Sequence, residues 1–126
     1  MGDFTKLLVW RKAHALALNV HAVAITIRGS NYVSLRSQMI RAAMSIPANI
    51  VEGRSQKSDR DFARFLWYAL NSSSELEYHL IVARDIKAIS VSDCTSLIDQ
   101  TIEVRKMLHG LIRSLEPAEP VPSTTV

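Results

Sequence analysis

Cysteine, glycine, proline and aromatic residues are all scarce in this chain of 126 residues. Its single cysteine, Cys94, excludes an internal disulfide and any cysteine-rich zinc site. Four glycines and four prolines are too few for the many turns of an all-β fold. Gly29 and Gly53 are isolated, so there is neither a phosphate loop nor a dinucleotide fingerprint. No uncharged run reaches the roughly 20 apolar residues of a membrane-spanning helix. The longest, Ala13 to Ile27, contains His14, Asn19 and His21. The first residues lack the basic and then apolar stretch of a signal peptide, and Lys6 stands where a myristoylation pattern needs Ser or Thr. A cytoplasmic protein with no membrane partner is the expectation.

What the chain does have is apolar material in regular spacing. Apolar residues make up 48% and charged residues 21%, a balance that folds rather than staying disordered. The length is that of one domain. All 15 basic residues lie at or before Arg113, whereas Glu116 and Glu119 lie beyond Leu115. The excess positive charge therefore sits in the body of the chain and suits an anionic partner.

Helical periodicity runs through four segments. Val9, Ala13, Leu16, Val20, Val23 and Ile27 step by four and three along a first helix over about 4–27. Gly29 is its expected stop, and Ser30 or Asn31 the cap of the next helix. Leu35, Met39, Ala42, Ile46 and Ile50 mark a second helix over about 32–53, with Gly53 as its end. Pro47 falls inside it, and Ile46 is a poor cap for a fresh start, so one helix kinked at Pro47 is expected rather than two. A third helix, capped by Ser58, carries Phe62, Phe65, Ala69, Ser73, Leu76, Leu80 and Ala83 and reaches about Lys87. A fourth, from about Ser92 to Leu115, carries Ile98, Thr101, Arg105, Leu108 and Ile112, with Leu97, Ile102, Val104 and Leu111 beside them. The reading is an all-α, up-down-up-down antiparallel four-helix bundle over 1–116 and a disordered tail over 117–126.

The third segment also carries Trp67, Tyr68, Leu70, Tyr78 and Val82 away from its inner stripe, and the first adds Phe4, Leu7, Trp10 and Ile25. A helix apolar on more than one face is usually buried on more than one face, so a homo-oligomer is expected. Trp10, Trp67, Tyr68 and Tyr78 are the candidates for its interface. Scattered surface aromatics are the plainer alternative.

The stretch Arg41-Ala42-Ala43-Met44-Ser45-Ile46-Pro47-Ala48-Asn49-Ile50-Val51-Glu52-Gly53 resembles the signature of a bacterial four-helix-bundle family, the intervening-sequence proteins of the large ribosomal RNA. Val9-Trp10 with Ala13, Arg64-Phe65-Leu66 with Ala69, and Ser73 with Glu75-Leu76-Glu77 and Leu80 extend the resemblance over about 4–115. Arg28-Gly29 stands where many members of the family carry Phe-Pro, so a first loop that differs from theirs is expected. The resemblance implies a bundle that assembles into a ring, commonly a homopentamer. It also gives a more distant similarity to the accessory proteins of diversity-generating retroelements, which bind a reverse transcriptase and nucleic acid through a basic surface. Trp10, Arg41, Ser45, Pro47, Asn49, Glu52, Gly53, Arg64 and Glu75 are the matching motif positions. An Arg–Glu pair between helices two and three would give the charged ones a structural role.

The basic set Arg36, Arg41, Arg54, Lys57, Arg60 and Arg64 is the candidate surface for RNA or DNA, since guanidinium groups hold phosphates without reading bases. A solvated face with local pairs such as Arg64 with Asp61 is the alternative. His14 and His21 share a helix face, but no third ligand and no Glu-x-x-His motif accompanies them, so no metal is expected. Cys94 lies at a helix start, where the dipole favours a lowered pKa, yet no partner base is in sequence reach. No nucleophile with its base is evident, so no catalytic residue, cofactor or small-molecule substrate is expected. The sequence reading is a non-enzymatic, ring-forming interaction module for nucleic acid or a nucleoprotein complex. A protein-only scaffold is its rival, and an enzyme with an inter-subunit site a more remote one.

Overall fold

The computed structural model describes residues 2–117. Its four long helices are α1 (Leu8–Ala24), α2 (Val33–Arg54), α3 (Asp59–Asp85) and α4 (Val91–Leu115), with no strand among the described residues. Each helix neighbours the next and α4 closes back on α1, while the diagonal pairs stay apart. That cyclic order is the up-down-up-down bundle expected from the four stripes. The tail expected over 117–126 lies, apart from Pro117, outside the described residues.

The core follows the sequence stripes closely. Leu16, Met39, Ile46, Ile50, Leu66, Leu76, Leu80 and Leu108 are wholly inaccessible. Each such side chain contributes roughly 1.5–3 kcal/mol by leaving water, more than any surface ion pair in the molecule can add. In α4 the inner row is Cys94, Leu97, Thr101, Val104, Leu108 and Ile112, one position away from the row through Ile98 and Arg105. Leu70 proves to be core rather than surface.

The ends of the helices show where local chemistry overrides periodicity. The first helix does not begin at Phe4. Phe4–Lys6 forms a separate 3-10 turn, because the Asp3 carboxylate accepts from the Thr5 N–H and hydroxyl. These bonds hold the Asp3 carboxyl below its usual pKa. Leu7 is then extended, and α1 starts at Leu8. It also ends early, at Ala24, with the Thr26 hydroxyl donating to the Val23 carbonyl. Gly29 does adopt positive φ (110°), but inside the loop rather than at the helix end. Neither Ser30 nor Asn31 caps α2. They sit in a second 3-10 turn, Ser30–Tyr32, and Tyr32 occupies the cap position without a side-chain bond.

Pro47 stands within one continuous α2. Near the hydrogen bond that proline removes, the Asn49 side-chain amide donates to the Ser45 carbonyl at 2.8 Å. Two of the motif positions, Ser45 and Asn49, are thus bonded to each other across Pro47. Gly53 is not a helix stop either. It is helical, and a Cβ there would lie 2.8 Å from Phe62 Cδ1 and 2.9 Å from Phe65 Cβ. Glycine is required because α2 and α3 approach closely at that turn.

Ser58 caps α3 as expected, its hydroxyl accepting from the Asp61 N–H at 3.1 Å. Ser90, rather than Ser92, caps α4, accepting from the Asp93 N–H at 3.0 Å. At the far end of α3, Lys87 takes φ 63° while Ala88 N–H bonds the Ala83 carbonyl and Lys87 N–H the Arg84 carbonyl. This is a Schellman motif with lysine where glycine is usual. Lys87→Gly is expected to raise stability by about 0.5–1 kcal/mol, since a side chain at positive φ costs roughly 1–2 kcal/mol and the greater unfolded-state freedom of glycine returns about 0.5–1 of it. A rise in the urea midpoint checks it.

Candidate functional site

The α2–α3 turn, the start of α1 and the end of α4 meet at one end of the bundle. Four of the six cations proposed from sequence collect there. Arg54 lies in the last turn of α2, Lys57 in the turn, and Arg60 and Arg64 in the first turns of α3. Lys57, Arg60 and Arg64 are exposed. The Arg54 guanidinium lies 5.8 Å from the centre of the Phe62 ring, its Nε buried and without a hydrogen-bond partner among the described residues. Arg64 stands 5.1 Å over the Phe65 ring and 3.5 Å from Asp61. Each guanidinium group thus lies within cation–π reach of a ring, and a guanidinium can make bidentate contact with phosphate. Among the described residues, no carboxylate is within ion-pair distance of Lys57 or Arg60. Asp59 and Asp61 temper the charge but sit at the N-terminus of α3, where the helix dipole holds them.

The other two cations lie elsewhere. Arg36 is at the opposite end, its Nη1 donating to the carbonyls of Ile27 (2.8 Å) and Gly29 (3.0 Å). It ties down the α1–α2 loop by satisfying two of its carbonyls. Arg41 lies midway along α2 and reaches across to Glu75 on α3, with Gln38 accepting from the same guanidinium. His79 lies 3.4 Å from that Glu75 oxygen. The expected Arg–Glu bridge between helices two and three is therefore Arg41–Glu75. Glu52 is exposed and pairs with no cation among the described residues.

One buried-edge network escaped the sequence reading. Arg105 on α4 donates to Glu77 at 2.6 Å, and to the Ser73 hydroxyl and carbonyl at 3.3 and 3.4 Å. Glu77 and Ser73, one helical turn apart, face the helix row on which Arg105 stood. That spacing is the signal that could have revealed the pair.

Two apolar surfaces complete the exterior. Between α1 and α2 an open groove of about 510 Å³ is lined by Trp10, His14, Leu18 and His21 on one wall and Met44 and Val51 on the other. The Trp10 and His14 rings stack at 4.9 Å. Of the interface candidates, Trp10 is half-buried in this groove, whereas Trp67, Tyr68 and Tyr78 on α3 are exposed.

Cys94 is fully covered, and its thiol lies 3.5 Å from the Leu80 carbonyl. Burial pushes that thiol up, against the lowering expected from its place at a helix start. No group of three His, Cys, Asp or Glu among the described residues could hold a metal ion. None of their helices is long and apolar enough to cross a membrane.

No curated protein matches the chain. Among solved structures it is similar to a protein of unknown function from the S23 ribosomal protein family of Bacteroides thetaiotaomicron. The two superpose with a TM-score of 0.77 at 26% identity, covering 84% of this chain and 99% of that one. That structure shares the bundle and does not itself carry a function to transfer. The model of the 23S rRNA-intervening sequence proteins matches residues 5–110, from the first turn to the last helix and through Ser45, Pro47 and Asn49, so the chain belongs to that family.

Proposed function

We propose that this chain is a non-enzymatic RNA-binding module that assembles with copies of itself. The observation that carries the reading is the cluster Arg54, Lys57, Arg60 and Arg64 at one end of the bundle. Two of these guanidinium groups lie against aromatic rings, and the two further cations have no carboxylate within ion-pair distance among the described residues. Such a surface holds phosphates by charge and bidentate hydrogen bonds, without reading base edges. The family's description mentions 23S rRNA, which makes ribosomal RNA the first anion of this class to test. Assembly would repeat the cluster around a ring, and several weak contacts on one strand then act together. Nothing in the cluster pairs a nucleophile with a base, which favours holding over chemistry.

A protein-only scaffold is the second reading, favoured by the Arg41–Glu75 and Arg64–Asp61 pairs, which occupy two of the cations with structural work. Fluorescence anisotropy with single-stranded and structured RNA separates the two. The wild-type protein is expected to bind at micromolar concentration or tighter in low salt. The triple variant Lys57→Ala/Arg60→Ala/Arg64→Ala is expected to lose at least tenfold, with Lys12→Ala unchanged. Equal affinity of the triple variant and wild type would remove the basic end from the account.

A further inference from the structure

The groove between α1 and α2 carries no charged residue on its walls, and Leu18 and Met44 are each 57% exposed within it. An open apolar surface of this kind marks a contact rather than a solvated face. A second uncharged strip lies on α3. Trp67, Asn71, Ser74 and Tyr78 follow one another at i, i+4, i+7 and i+11, with Trp67 48% and Tyr78 63% exposed. The Trp67 ring meets His109 of α4 nearly at right angles, with centroids 5.9 Å apart, which sets the strip on the α3–α4 side of the bundle. The groove opens on the α1–α2 side. In a bundle of cyclic order these are opposite sides.

The two surfaces match in form, length and chemistry. One is concave and the other is a convex helix ridge. The groove wall from Trp10 to His21 and the ridge from Trp67 to Tyr78 each span about 16 Å of helix. The ridge brings an indole N–H and a phenol O–H, both donors, and the groove offers the imidazoles of His14 and His21. Groove against groove leaves the hollow empty, and ridge against ridge leaves both hollows open.

We infer that the α1–α2 groove of one copy receives the Trp67–Tyr78 ridge of α3 from a second copy. This rests on the self-assembly proposed above and names the surfaces that make it. The contact is heterologous, because different patches meet, so it runs head to tail and closes into a ring when the rotation per subunit allows. The ridge lies in the groove as an amphipathic helix does, with alternate turns as anchors.

Light scattering on a sizing column tests the inference with two full-length variants. Leu18→Glu/Met44→Glu spoils the groove, and Trp67→Glu/Tyr78→Glu spoils the ridge. All four residues are exposed, so the melting curve by circular dichroism is expected to stay close to wild type. Met44→Glu and Trp67→Glu alone give the same readout should a double variant melt early. Wild type is expected above the dimer mass and each variant at the monomer mass of 14.1 kDa. An equimolar mixture of the two variants is expected at twice that mass, since each brings one intact surface and the chain of contacts stops at one. Monomers that do not pair on mixing would overturn the heterologous contact. A wild-type oligomer that both variants preserve would overturn the assignment of these surfaces while leaving assembly standing. A wild-type monomer at all concentrations would remove assembly itself.

Discussion

Gly53→Ala is expected to lower stability by about 1–2 kcal/mol, although alanine is the better helix former. The propensity gain is roughly 0.5–1 kcal/mol, whereas forcing an extra carbon into a packed site costs typically 1–3 kcal/mol. The larger effect decides the sign. The added methyl would meet Phe65 Cβ at 2.9 Å and the Phe62 carbonyl oxygen at 3.2 Å. Neither atom can rotate away, because one is fixed to the backbone and the other belongs to it. The close approach of α2 and α3 would have to open along its length. Urea denaturation followed by circular dichroism reads the change as a lower midpoint at unchanged slope. An unchanged or raised midpoint would show that the helices separate there at no cost. The neighbouring α2–α3 turn carries the basic cluster, so the same variant also tests whether that turn is held in place by this packing.

Arg105→Ala is expected to cost about 1–3 kcal/mol, because it leaves the Glu77 carboxylate without its partner at the edge of the core, while the Ser73 hydroxyl keeps its bond to the Leu70 carbonyl. The side chains of Arg105 and Glu77 are only 26% and 31% exposed, and Ser73 is wholly inaccessible. Arg41→Ala is the control. Its pair with Glu75 is about half in solvent on the arginine side, and such pairs are worth about 0–1 kcal/mol. Comparing the two variants by urea midpoint isolates burial as the variable. Equal losses would mean that the α3–α4 network is no better shielded than the α2–α3 pair. A double-mutant cycle of Arg105→Ala with Glu77→Ala gives the coupling directly.

The bundle was legible because its stripes are long and the core is simple. Val9, Ala13, Leu16 and Val20 on α1, or Leu76, Leu80 and Ala83 on α3, permit one helix face and no other. The ends were less legible, since they depend on single hydrogen bonds. Asp3 shortens the start of the first helix, Ser90 advances the fourth, and Lys87 takes a conformation that no periodicity encodes. Gly53 misled for a related reason. A glycine near a helix end reads as a stop, and only the distance to Phe62 and Phe65 reveals that it is a point of approach. The basic set was half legible. Its four members from Arg54 onward are close in sequence and stay close in space, whereas Arg36 and Arg41 are carried away along the helix to a loop and to Glu75. The apolar groove was the hardest part to foresee, because its two walls come from different helices and include residues such as His14 and His21 that do not read as apolar.

The most direct test of the account is the salt dependence of RNA binding by the assembled protein. Anisotropy titrations with single-stranded RNA between 50 and 200 mM salt yield the slope of log affinity against log salt. Each phosphate neutralised on a single strand contributes about −0.7 to it, so the four cations of one basic end predict a slope of about −3, steeper where several subunits share the strand. A slope of that size that flattens in Lys57→Ala/Arg60→Ala/Arg64→Ala is the predicted result. A slope near zero, or no binding at the lowest salt, would contradict the phosphate-holding role of this end of the bundle.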